Sequence, residues 1–134
     1  VENLVLPAIE RGAWVLCDRY TDATYAYQGG GRGLPDSTID ALVAIVHPAF
    51  WPDLTVLLDA PVEVGMMRAR LRNGPDGADR FETERREFFE RVRERYLARA
   101  RAEPARMRVV DATGDVERVE SEIRRELAAL LGRA

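Results

Sequence analysis

The sequence predicts an α/β fold built on a mainly parallel sheet, and three observations carry that expectation. Short continuous apolar runs at 13–17, 54–58 and 107–111 have the length of strands buried on both faces. Stretches with apolar residues at helical spacing alternate with them. Two of the runs deliver an acidic residue, Asp18 and Asp59, to the strand end where open α/β sheets bind ligands.

In chain order, Val1, Leu4, Val5, Ala8 and Ile9 recur at helical spacing up to Arg11-Gly12, where glycine supplies a C-terminal cap. Neither a start methionine nor a capping residue precedes Val1, so the chain reads as opening inside a helix, with sequence missing in front. The run at 13–17 is the first expected strand. A short helix is expected over about 22–28, ended by the glycines that follow. Pro35-Asp36-Ser37 starts the next helix, whose apolar face of Ile39, Leu42, Val43 and Val46 runs to His47-Pro48. Trp51-Pro52-Asp53 is turn material before the second strand, and Pro61 suits the first turn of a helix over about 62–71. That helix breaks at Asn73-Gly74-Pro75-Asp76-Gly77, rich in residues that favour turns. A long helix over about 82–102 places Phe88, Phe89, Val92, Tyr96, Leu97 and Ala100 on one face, its many Arg and Glu residues reading as solvated surface. After the third strand, Val116, Val119, Ile123, Leu127 and Leu130 mark a closing amphipathic helix.

With 134 residues and no repeats or linkers, the chain reads as one domain over 1–134. A net charge of −3 shows no basic excess of the kind nucleic-acid binding needs. No apolar segment approaches the roughly 20 residues of a membrane span, and no signal peptide opens the chain. The lone Cys17 excludes an internal disulfide and a multi-cysteine zinc site. These features predict a soluble, cytoplasmic protein with no nucleic-acid or membrane partner and no protein-built metal site. All 20 cationic residues are Arg, so phosphate contacts must use the planar guanidinium, and the lysine of a nucleotide-binding P-loop is not among these residues.

The chemistry concentrates in residues 18–33. Arg19 at a strand end can grip a phosphate bidentately while Asp18 orients it or assists a metal, although a structural ion pair accounts for the two equally well. Tyr25, Tyr27 and Gln28 offer flat aromatic surface and an amide that both donates to and accepts from a base edge. Gly29 to Gly33 let backbone approach a ligand, or form a surface loop over packed tyrosines. Arg68, Arg70, Arg72 and Arg80 surround the turn-rich loop, where mobile arginines could neutralise a transferring phosphoryl group; a charged helix end is the plainer alternative. His47 and the tryptophans read as core or surface.

Taken together, Val15-Leu16-Cys17-Asp18-Arg19-Tyr20, Tyr27-Gln28-Gly29-Gly30-Gly31-Arg32-Gly33, Pro52-Asp53-Leu54-Thr55, Asp79-Arg80-Phe81-Glu82 and the Asp111-Ala112-Thr113 step resemble bacterial thymidylate kinases in order and spacing, across essentially the whole chain. The resemblance implies a P-loop nucleoside monophosphate kinase fold with helices on both faces of a parallel sheet, here incomplete, with the first two strands missing. The family sheet order 2-3-1-4-5 would put the missing first strand between 13–17 and 54–58 and leave a slot. It implies transfer of the γ-phosphoryl of ATP to dTMP, with Mg²⁺, in a homodimer. By residue, it implies that Arg19 binds the dTMP phosphate, with Asp18 also in the dTMP site, that Thr24 and Gln28 lie at the thymine edge and Tyr27 near the deoxyribose. Arg68 would stack on the ATP adenine. Arg19, Arg70, Arg72 and Arg80 would be catalytic, within a lid at about 68–82. The expectation is a carboxyl-terminal part of the kinase that does not transfer phosphate by itself. Another nucleoside monophosphate kinase, or an inactive nucleotide-binding or dimerisation fragment of the same fold, are the alternatives.

Overall fold

The computed structural model describes residues 1–48, 50–73 and 80–132, without the side chains of Asn73 and of residues 80–84. The chain runs α1 (Val5–Glu10), α2 (Thr21–Thr24), a π-helical segment (Tyr25–Gly31), α3 (Asp36–Val46), β1 (Thr55–Asp59), α4 (Val62–Asn73), α5 (Arg80–Ala102), β2 (Met107–Asp111) and α6 (Val116–Leu131). β1 and β2 pair in parallel, Thr55 opposite Met107 through Asp59 opposite Asp111, with α4 and α5 in the connection between them. The α/β class and the parallel pairing agree with the sequence. So does the glycine stop after α1: Gly12 has φ 75°, its N–H donates to Ile9 O at 2.8 Å, and Ala13 N–H donates to Ala8 O at 3.0 Å. Those two bonds satisfy carbonyls that the last helical turn leaves open.

The strand expected at 13–17 does not form. A strand buried on both faces needs a ladder partner and a covered face. The described sheet holds only β1 and β2, and 13–17 lies in neither. Its apolar side chains accordingly face outward, with Trp14 69% and Leu16 101% exposed. The apolar face expected on α3 is only partly used: Ile39 is fully buried, but Leu42 and Val46 are exposed.

The core lies around α5, which packs on the π segment, α2, α4 and both strands. Val92 and Ala100 of α5 are buried with Ile39, Tyr25, Ala26, Met107 and Val110. The helix predicted to stop before the glycines instead continues through them, and the reason is packing. A Cβ on Gly30 would sit 2.6 Å from Arg95 Cβ, and one on Gly31 would sit 2.5 Å from Phe88 Cε2. Gly30 and Gly31 therefore let two helical backbones approach, while Gly33, at φ 77°, lies exposed after the helical segment. α6 starts at Asp115, whose carboxylate accepts from Arg118 N–H at 2.9 Å, and it packs on β2 with Arg108 paired to Glu126 at 3.2 Å.

Candidate active site

The turn ahead of α2 is strained and tied down. Arg19 has φ 69°, a left-handed conformation costing a residue with a side chain about 1–2 kcal/mol, kept only where the surroundings enforce it. The Cys17 thiol donates to Arg19 O at 3.2 Å. Tyr20 donates to Phe50 O at 3.4 Å and its ring lies 5.0 Å from that of His47, while Thr21 Oγ1 and His47 Nε2 share a hydrogen bond of 2.6 Å. The exposed Arg19 guanidinium lies over the Tyr27 ring, 5.0 Å from its centroid. That ring is flanked by Phe88 at 6.1 Å and Tyr96 at 6.4 Å, both from α5. Burial, then the neighbouring Tyr27, push the Tyr96 phenol up to about 12.

Behind the turn is a buried charge cluster. The Asp22 side chain is only 4% exposed. It accepts from Arg99 Nε at 2.7 Å and from Arg106 Nη1 and Nη2 at 2.8 and 2.9 Å. Burial pushes the Asp22 carboxyl up, but the hydrogen bonds and charges of Arg106 and Arg99 outweigh it and hold the group below its ordinary value. Glu103 accepts from both arginines, and Arg106 also reaches Thr55 Oγ1 at 3.1 Å. Arg99 lies 4.1 Å over Tyr25 and Arg106 4.8 Å over Trp51. The cluster thus fastens α2 to the end of α5 and the start of β1. Tyr25, offered above as base-stacking surface, is instead buried and donates to Asp40 at 2.5 Å. A second clasp closes the end of β1, where Asp59 takes Arg93 bidentately at 2.7 and 2.8 Å.

The other site residues fall into two places. Thr24, Tyr27 and Gln28 lie half-buried on the helical segment after the turn, and Asp18 is exposed beside Arg19. Arg68 of α4 meets the step after β2, donating to Ala112 O at 2.7 Å and to Thr113 O at 3.3 Å. That step is held by Asp111, which accepts from Thr113 N–H and Thr113 Oγ1 at 2.9 and 2.6 Å; these bonds lower its pKa. Two features noticed separately in the sequence, Arg68 and Asp111-Ala112-Thr113, therefore meet. Arg70 and Arg72 are exposed in the last turn of α4. Arg80 opens α5 with its side chain outside the described residues, as is the 74–79 stretch of the expected lid.

The family model for thymidylate kinase matches residues 1–123. This chain belongs to the thymidylate kinase family. Over 131 residues it is 50% identical to the thymidylate kinase of Methylococcus capsulatus, covering 98% of this chain and 62% of that protein. Over 125 residues it is 52% identical to that of Alcanivorax borkumensis, covering 93% of this chain and 59% of the relative. The crystal structure of thymidylate kinase from Ehrlichia chaffeensis superposes with a TM-score of 0.69 at 28% identity, over 95% of this chain and 56% of that one. The chain thus spans about 60% of the length of these curated relatives. The sheet and helices described above are the matching part of the thymidylate kinase fold, with two strands among the described residues.

The sequence reading missed the residues that brace this site. Asp22 meets partners 77 and 84 positions away, a separation no local pattern reveals. Arg93 and Arg99 sit on a helix whose charges read as solvated, yet Arg99 is only 14% exposed. The available signal was position: Arg99 lies beside Ala100 and three residues after Tyr96, at the edge of the apolar face of α5.

Proposed function

We propose that this protein works as a thymidylate kinase, transferring the γ-phosphoryl of ATP in line to the phosphate of dTMP to give dTDP, and that residues 18–28 receive the acceptor. The observation that carries this reading is the Arg19 guanidinium, held by a strained turn over Tyr27 at the head of the segment bearing Thr24 and Gln28. In the proposal Arg19 grips the acceptor phosphate, and the neighbouring Asp18 carboxylate orients the guanidinium or assists a metal. Thr24 and Gln28 read the thymine edge and Tyr27 faces the deoxyribose. Arg68, beside the Asp111-Ala112-Thr113 step, supports a place for the ATP adenine. Arg70, Arg72 and Arg80 bring positive charge to the transferring phosphoryl, whose charge spreads over its oxygens in the transition state. The 1–134 unit is one α/β domain, with its lid at about 68–82.

Among the described residues no group of three or more His, Cys, Asp or Glu could hold a metal. Mg²⁺ would enter with the ATP substrate and neutralise its phosphates when bound. A cytoplasmic homodimer completes the proposal, and no described helix is long and apolar enough to cross a membrane. Calorimetry with dTMP, dCMP and dUMP tests the acceptor site. dTMP should bind best, Arg19→Ala should weaken it by at least about tenfold through loss of a charge-assisted bidentate contact, and Gln28→Ala should narrow the preference among bases. Equal binding of all three nucleotides, or an unaffected Arg19→Ala variant, overturns the assignment.

A further inference from the structure

We propose that Tyr27 is a positioning residue for Arg19, a platform that aims the guanidinium at the acceptor phosphate; this rests on the reading of residues 18–28 as the acceptor site. An exposed arginine has many rotamers, and a phosphate grip requires one of them. Two features restrict Arg19. Its backbone is held at φ 69°, which sets the direction in which the side chain leaves the turn. Its guanidinium then lies over the face of Tyr27 at 5.0 Å, within the range where a cation is attracted to the ring quadrupole.

The platform is itself fixed. Tyr27 sits between Phe88 and the nearly perpendicular Tyr96, at an interplanar angle of 84°, so α5 sets the tilt of the ring. The Gly31 contact with Phe88 and Val92 holds the two helices close enough for this arrangement. Phenylalanine would supply the same face, because the attraction comes from the ring. An aliphatic side chain would fill space without it. The role is therefore separable from any contact of the Tyr27 hydroxyl with the sugar.

Calorimetry of the 134-residue chain with dTMP and with thymidine tests this, since thymidine lacks the phosphate. Tyr27→Leu should weaken dTMP about two- to five-fold more than it weakens thymidine, the range for an exposed cation–π contact, because loss of a sugar contact falls on both ligands alike. Tyr27→Phe should preserve the dTMP advantage over thymidine. In an Arg19→Ala background, Tyr27→Leu should cause no further loss of the dTMP advantage over thymidine. A Tyr27→Leu variant that loses thymidine as much as dTMP, or whose effect persists without Arg19, overturns the proposal. The free protein provides an independent readout: Arg19 δ protons should be shifted upfield by the ring current in wild type and Tyr27→Phe, and relax in Tyr27→Leu. Unshifted protons in wild type overturn the platform. Shifted protons in a chain that binds neither ligand retain the platform and refute the acceptor-site reading instead.

Discussion

Replacing Asp22 by Asn tests whether the buried charge cluster is the fastening on which the acceptor segment depends. Asn presents an amide NH₂ to one of two guanidinium groups that donate to Asp22 now, so Arg99 and Arg106 lose a charge partner and meet a donor. Removing one partner of a buried ion pair costs about 3–5 kcal/mol when the other charge is stranded. Here the arginines, 14% and 13% exposed, keep Glu103 at 2.9 and 2.6 Å, so they are not fully stranded. The expected loss is thus about 2–3 kcal/mol. With an unfolding entropy of about 2.1 cal/mol/K per residue, that lowers the melting temperature of a 134-residue chain by about 7–11 °C.

Thermal unfolding followed by circular dichroism measures the shift, and acid supplies a second arm. Asp22 titrates below 3.8 in the folded state. Its contribution is therefore fully present above that value and is lost as pH falls toward the folded pKa. The gap between wild type and Asp22→Asn should be full at neutral pH and close in acid below pH 3.8. A neutral-pH shift under about 2 °C, or a gap that stays open in acid, would refute the assignment of this cluster as a fastening. A double-mutant cycle with Arg106→Gln should give a coupling above about 1 kcal/mol.

Gly31→Ala should destabilise by about 1–3 kcal/mol in urea, because its methyl would collide with Phe88 and Val92, whereas Gly65→Ala in α4, where an added methyl meets nothing beyond its own helix among the described residues, should stabilise by about 0.4–1 kcal/mol. Tyr25→Phe should cost about 1 kcal/mol through loss of the bond to Asp40. Burial, then Asp40, hold the Tyr25 phenol up at about 12, so this group stabilises fully below its unfolded value of 10.0 and less as pH rises from there to 12; absorbance titration of the variant should lose one late-ionising tyrosine. Asp59→Asn should lower the urea midpoint by the equivalent of about 1–2 kcal/mol without changing the denaturant slope, and the loss should shrink in high salt.

What was legible in the sequence was whatever local pattern decides. α3, α4, β1, β2 and α6 fall within two residues of their expected bounds, because apolar spacing and Pro61 act over a few residues. The run at 13–17 shows the limit of such reasoning. Composition can make a segment suited to a buried strand, but a ladder needs a neighbour, and with no paired strand beside it among the described residues Leu16 is fully exposed. Gly29 to Gly31 show a different limit. Glycine reads as a helix stop when only its backbone freedom is considered, yet at Gly30 and Gly31 its missing side chain admits α5, 60 positions later in the chain.

The arginines show why site and scaffold could not be separated from sequence. Every cation here has the same planar head, which both forks onto carboxylates and stacks on rings. Arg106 forks onto Asp22 and stacks on Trp51, while Arg99 bonds Asp22 through Nε and Glu103 through Nη2 and stacks on Tyr25. Arg19 stacks in the same way on Tyr27 but remains exposed. The distinction is where the carboxylates are: Asp22 and Glu103 hold the buried pair in place, while Arg19 is exposed at the head of the segment carrying Thr24 and Gln28. That asymmetry is set by which acidic residue the fold carries inward. Asp18 and Asp22 are four positions apart, yet Asp18 stays at the surface beside Arg19 while Asp22 is enclosed. A lysine at 99 or 106 would keep the charge but lose the fork, so these positions depend on the guanidinium for the fold just as position 19 depends on it for the proposed phosphate grip.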